Sequence, residues 1–199
     1  MVMLCGALAA LMCCIGTFAA AQTAHFSGVQ SIVGSSGQFE PGGVAVDASG
    51  NVYISDENNG NLYKETLSAN GRYIQSTIAT GLKSPEALVV DGSGNIYVIV
   101  AGDGQAVSDA QVLKETLSGS SYAQSVVVAS GLASPNGIAI DGNANLYITD
   151  SSGYIASTSY VSPRLLMETL SNGSYVQSTI AGYPSSLLSK TAVNVLDGH

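Results

Sequence analysis

After residue 40 the chain is a series of short apolar runs separated by Gly, Asn, Asp and Ser. The runs are rich in Val, Ile, Tyr and Thr, residues that suit a pleated, half-buried surface, so each predicts a β-strand. Val44-Ala45-Val46 is apolar at every position, which predicts an inner strand covered on both faces. Val52-Tyr53-Ile54 predicts a second strand, and Leu62 to Leu67 alternates as a half-buried third strand should. Tyr73 to Ala79 carries Gln75, Ser76 and Thr77 at its centre, the polarity expected of an outermost strand with a free edge.

These four segments recur in the same order. Pro41–Asp47 returns as Pro85–Asp91 and Pro135–Asp141; Gly50–Ile54 returns as Gly94–Val98 and Ala144–Ile148. Lys64-Glu-Thr-Leu-Ser68 returns as Lys114–Ser118 and, with Met in place of Lys, as Met167–Ser171; Tyr73–Ala79 returns as Tyr122–Val128 and Tyr175–Ala181. Four antiparallel strands repeated in this way predict an all-β protein, a β-propeller of four-stranded antiparallel blades. The repeats fall at about 41–84, 85–134 and 135–182, with partial blades at 25–40 and 183–199. Each first strand leads to the second through turns such as Asp47-Ala-Ser-Gly50-Asn51. The recurrent Asp47, Asp91 and Asp141 are therefore read as turn-forming aspartates, against the alternative of a ring of acids or metal ligands.

The run from Pro41 to Asp56, Pro-x-Gly-Val-Ala-Val-Asp-x-x-Gly-Asn-Val-Tyr-Ile-Ser-Asp, resembles the NHL-repeat motif of bacterial six-bladed propellers. The likeness covers roughly residues 41–182. It implies a propeller fold but no particular activity, since the family includes sensor ectodomains, binding scaffolds and a few lyases. It also implies that three blades leave the ring open, each end exposing an apolar sheet face. Either the chain is a fragment of a longer propeller, or two copies self-associate head-to-tail to close the ring.

The first 21 residues are apolar except for Thr17 and end in Phe18-Ala19-Ala20-Ala21, a small-x-small cleavage pattern. They predict a signal peptide and a secreted protein, extracellular or periplasmic, with no membrane association after cleavage. A retained N-terminal membrane anchor is the alternative. Cys5, Cys13 and Cys14 all lie in this leader, so the chain beyond it has no disulfide, thiol nucleophile or Cys-based metal site. The net charge of −8, from six Lys+Arg against fourteen Asp+Glu, disfavours electrostatic nucleic-acid binding. The 46% hydrophobic and 10% charged composition excludes a disordered tail.

Candidate chemistry concentrates on one face. With strands lettered A to D in each blade, the A–B and C–D turns are short, whereas the B–C connections lengthen: Asp56 to Leu62, Val100 to Val112, Asp150 to Leu165. Insertions confined to one face mark the functional face of a repeat protein. Tyr154, Tyr160 and Tyr183 fall in B–C or D–A loops there, as does Arg164, and loop Tyr and Arg are typical contact residues. The alternative is that they pin down long loops. Asp103 and Asp109 in the second insertion are candidate ligand contacts, and Ca²⁺ is the one cofactor they suggest. Tyr53, Tyr97, Tyr147, Tyr73, Tyr122 and Tyr175 hold matched strand positions and read as framework. Lys64 and Lys114, with Glu65 and Glu115, read as a solvated rim.

His25 and His199 lie outside the blades, and no Gly-x-Ser-x-Gly, HExxH or phosphate-cradling motif occurs, so no catalytic residue and no metal site is assigned. The expected function is that of a secreted, non-enzymatic propeller module binding a protein or glycan through its B–C/D–A loop face. The alternative is part of a propeller lyase or hydrolase whose active site needs blades absent from this chain.

Overall fold

Turn chemistry repeats atom for atom and sets each blade's first hairpin. The computed structural model describes residues 39–102, 109–156 and 159–182. All described residues belong to one compact unit. Asp47 Oδ1 accepts from the backbone N–H of Ser49 (2.9 Å) and Asn51 (3.0 Å), while Asn51 Nδ2 donates to Asp47 Oδ2 (2.7 Å). Asp91 and Asp141 make the same three bonds to Ser93 and Asn95, and to Asn143 and Asn145. The Asn side chains then reach the third strand, where Asn51, Asn95 and Asn145 Oδ1 accept from Leu67, Leu117 and Leu170 N–H. The turn-former reading of the three aspartates is thus what the structure shows.

Each turn opens a four-stranded antiparallel blade. Blade 1 contains β1 (Pro41–Val46), β2 (Val52–Asp56), β3 (Asn61–Leu67) and β4 (Tyr73–Ala79). Blade 2 contains β5 (Pro85–Val90), β6 (Ile96–Val100), β7 (Gln111–Ser118) and β8 (Ser121–Val128). Blade 3 contains β9 (Pro135–Ile140), β10 (Leu146–Asp150), β13 (Arg164–Ser171) and β14 (Ser174–Gly182). A separate hairpin, β11 (Gly153–Ala156) and β12 (Ser159–Val161), occupies the third B–C connection, where a loop was expected. Among the described residues there is no helix.

Antiparallel partners share a face, so the register assigns every side chain to one side of its blade. Ala45, Tyr53 and Lys64 are successive partners, and so lie on the face of blade 1 that packs forward on blade 2. There Tyr53, Leu62 and Leu82 bury against Leu88, Ile96, Val98 and Leu113. Between blades 2 and 3, Tyr97, Ile99, Val112 and Leu132 bury against Leu146, Ile148 and Leu166. Removing such a side chain from water is worth about 1.5–3 kcal/mol, which is what stacks the blades. Leu82 and Leu132 come from the D–A loops, so those connections anchor in the core. The inner strands approach closely: a Cβ at Gly43 would lie 2.7 Å from the Glu86 carbonyl oxygen, which only glycine avoids.

Two expectations are corrected. Val44 and Val46 are 65% and 60% exposed, because blade 2 covers only the opposite face of β1, where Ala45 points. Glu65 and Glu115 are not a solvated rim: each is 2% exposed, as is Glu168, and each carboxylate accepts from a Gln on the outer strand (Gln75, 2.9 Å; Gln124, 2.7 Å; Gln177, 2.6 Å). Lys64 and Lys114 lie over the Tyr53 and Tyr97 rings, 5.3 and 5.0 Å from the centroids, so their stems are part of the blade packing. The outer strands are largely exposed at their centres, as their polarity predicts.

Candidate functional site

The B–C and D–A connections meet on one face, and two buried aspartates organise them. Asp56 Oδ1 accepts from Glu40 N–H (3.2 Å) and Asn59 N–H (3.3 Å), and its Oδ2 accepts from Asn59 Nδ2 (2.8 Å), which curls the short first loop. Gly60 follows at φ +65°, and a Cβ there would lie 2.4 Å from the Leu82 carbonyl oxygen. Leu82 N–H donates to the Gly60 carbonyl (2.9 Å), locking the B–C loop to the D–A loop.

The third connection is braced more strongly. Asp150 is fully buried, and its Oδ1 accepts from the N–H groups of Ala133 (2.9 Å) and Ser134 (2.8 Å). Its Oδ2 accepts from Arg164 Nε (3.0 Å) and Nη2 (2.8 Å), and the same Nη2 donates to the Gly131 carbonyl. The Arg164 side chain is 15% exposed. The guanidinium therefore ties the B–C insertion of blade 3 to the preceding D–A loop. Hairpin β11–β12 lies between Asp150 and Arg164 along the chain, and its register makes Tyr154 and Tyr160 direct cross-strand partners. In the second connection Asp109 pairs with the exposed Lys83 ammonium at 3.5 Å. Asp103 and Tyr183 lie outside the described residues.

The inner strands β1, β5 and β9 stand side by side around a concave groove of about 470 Å³, lined by residues 42–46, 87–90 and 136–140. Asn136, at the loop-face end, accepts from Thr149 Oγ1 (2.9 Å) and donates to Ser151 Oγ (2.7 Å). Sequence reasoning passed over this residue. Its signal was variation within a constant frame, because the position after the repeat's Pro is Gly42, Glu86 or Asn136.

The perturbed groups sit in the framework rather than on the loop face. Burial pushes up the Tyr53 phenol, reinforced by its bond to Asp47 (3.0 Å), and likewise raises Tyr97, Tyr122 and Tyr175. For Asp47 and Asp141 partial burial acts upward, but the bonds from Asn51 or Asn145, the turn N–H groups and Tyr53 or Tyr147 outweigh it and hold both below the usual carboxylate value. Burial raises Glu168, opposed only by its bond from Gln177. Among the described residues no three His, Cys, Asp or Glu side chains converge in a metal-binding group.

The fold has recognisable likenesses among solved structures. A chain of a nidogen/laminin complex superposes with a TM-score of 0.55 at 22% identity, covering 72% of this chain and 49% of that one. A gluconolactonase from Xanthomonas campestris superposes with a TM-score of 0.52 at 18% identity, with the same coverage of 72% and 49%. Both are β-propellers. This chain is built of propeller blades. It spans about half the length of the propellers it matches, and at these identities the likeness establishes the fold alone. No family model and no curated protein matches the sequence.

Proposed function

We propose that the chain is a secreted, NHL-like propeller module that binds a protein or glycan through its B–C/D–A loop face. The observation that carries this reading is hairpin β11–β12, which grows from the longest B–C connection, pairs Tyr154 with Tyr160, and is bracketed along the chain by the Asp150–Arg164 clamp. A tyrosine-bearing hairpin on a rigid base offers large contact area at low ordering cost. The propellers it resembles include one from a protein–protein complex and one enzyme, so a binding use of this scaffold has a structural counterpart. Arg164 serves the face by holding the hairpin in place; Tyr183, Asp103 and Asp109 extend the proposed contact surface. The apolar run ending at Ala21 supports export, and cleavage there gives an exported chain beginning at Gln22.

The test uses a glycan array and immobilised laminin as probes. Tyr154→Ser/Tyr160→Ser should remove binding to whichever probe the wild type retains, while Ser93→Lys on the opposite face should leave it intact. Binding untouched by the hairpin changes, or turnover of an aldonolactone by the chain in place of binding, would sink the proposal.

A further inference from the structure

A buried carboxylate needs a cation or several N–H groups to offset the water it gives up. Asp150 has both, in Arg164 and the N–H groups of Ala133 and Ser134, and Asp56 accepts from two N–H groups and an amide. Glu168 is 2% exposed and has far less. One of its oxygens accepts from Gln177 Nε2 at 2.6 Å, and among the described residues the other has no hydrogen bond and no ion pair. Lys114, on the face of blade 2 that meets blade 3, lies over the Tyr97 ring and forms no ion pair with Glu168.

Glu168 lines a cleft of about 310 Å³ between blades 2 and 3, bounded on the blade 2 side by residues 127–131. The D–A connection there is one residue longer than its counterpart. Ala79 and Val128 are equivalent strand ends and Leu82 and Leu132 equivalent buried anchors, yet Ala129, Ser130 and Gly131 intervene in place of Thr80 and Gly81. Gly131 takes φ +87°, and Gln177 Oε1 lies 3.1 Å from where a Cβ on it would stand, so the amide oxygen faces this loop.

The polar groups of the cleft are mostly left as acceptors. Gln177 Nε2 is engaged with Glu168, and the Tyr175 hydroxyl donates to the Ala144 carbonyl at 3.0 Å. Glu168 adds a carboxylate, and Val127 and Val128 add an apolar wall. A calcium ion takes about six to eight oxygens, several of them from carboxylates, and this cleft has one carboxylate. The lining suits a monovalent cation that carries N–H donors and a short apolar tail.

We propose that the cleft between blades 2 and 3 binds a primary alkylammonium group, its N–H donors on Glu168 and Gln177 Oε1 and its alkyl chain on Val127 and Val128. Burial raises the Glu168 carboxyl, and an ammonium beside it offsets that cost. A free amine and a lysine side chain both present this group.

Thermal unfolding of the full chain in n-butylammonium chloride, at constant ionic strength, is the test. Tm should rise by about 3–6 °C for each tenfold increase in concentration past half-saturation, because a ligand of the folded state stabilises it by mass action. Tetramethylammonium, with the same charge and no N–H donor, should give no rise. Neither should n-butylammonium with Glu168→Gln, which keeps the shape of the side chain and removes its charge, whereas Glu115→Gln at the equivalent position of blade 2 should leave the response intact. In NMR spectra of the wild type, nuclear Overhauser effects should join the butyl protons to the Val127 and Val128 methyl groups, a readout independent of any variant. Nα-acetyl-lysine N-methylamide separates the two sources: an equal or larger rise in Tm assigns the group to a lysine side chain, a smaller or absent one to a free amine, and either upholds the site. No rise with n-butylammonium overturns the proposal. So does a rise shared by tetramethylammonium, one that survives Glu168→Gln or is lost with Glu115→Gln, or Overhauser contacts confined to other residues.

Discussion

Replacing Arg164 by Met isolates the strongest single brace on the loop face. Met keeps most of the side-chain bulk and removes the guanidinium. Asp150, with no exposed surface, then keeps only the N–H groups of Ala133 and Ser134, having lost bonds of 3.0 and 2.8 Å to Nε and Nη2. Hydrogen bonds to charged groups are worth about 1.5–3 kcal/mol each, and removing one partner of a buried pair costs about 3–5 kcal/mol. The 15% exposure of Arg164 marks a path by which water reaches the vacated side and recovers part of this, so the expected loss is about 2–4 kcal/mol. At about 2–4 °C per kcal/mol for a domain of this size, Tm should fall by roughly 4–16 °C. Asp150→Asn should cost less, about 1–2 kcal/mol, because the exposed edge of Arg164 gains water while an amide oxygen still accepts from the two N–H groups. The double variant should be more stable than the sum of the single losses predicts, by about 1–3 kcal/mol. Chemical denaturation of the four proteins gives the cycle, and hydrogen exchange in β11–β12 reports whether the hairpin loosens. If Arg164→Met stays within about 0.5 kcal/mol of wild type, or the two changes simply add, the guanidinium is not engaged as described.

Two further outcomes follow from the turns and the buried carboxyls. Ala144 holds φ +61°, where the other two repeats place Gly50 and Gly94 at φ +80°; since the left-handed region costs an L-residue about 1–2 kcal/mol, Ala144→Gly should stabilise the fold by about 0.5–1 kcal/mol after the entropy of the added glycine, and a lower Tm would contradict this. Asp47 and Asp141, held below the usual carboxylate value, contribute stability that is present above about pH 4 and is lost as pH falls through their lowered folded values. Glu168, raised by burial, acts the other way: its ionisation at neutral pH opposes folding, and acidification toward its raised value relieves that cost. Stability should therefore hold or rise slightly on mild acidification and then drop below about pH 4. Asp141→Asn should flatten the drop in urea melts across that range, and an unchanged acid limb would refute the assignment.

The strands, their order and the turn aspartates were legible in the sequence because each rests on local physics. Alternation has a period of two residues, and the bonds from Asp47 to Asn51 or Asp141 to Asn145 span four positions, so a reading along the chain finds them. The lengthening B–C connections were equally plain, and they placed Tyr154 and Tyr160 together, though not as partners in a hairpin. What stayed hidden was coverage. Glu65 and Glu115 read as a solvated rim, yet they are buried, as is Glu168, each paired with a Gln across the neighbouring strand. Val44 and Val46 read as core, yet they face away from blade 2. Arg164 read either as a contact residue or as a pin for a long loop, without showing which groups it would hold: Asp150 lies across β10 and β13, and its other acceptor, Gly131, comes from the loop before blade 3. Secondary structure follows from neighbours in the chain, whereas burial and ion pairing depend on which blade stacks against which face, and only the packed blades decide that.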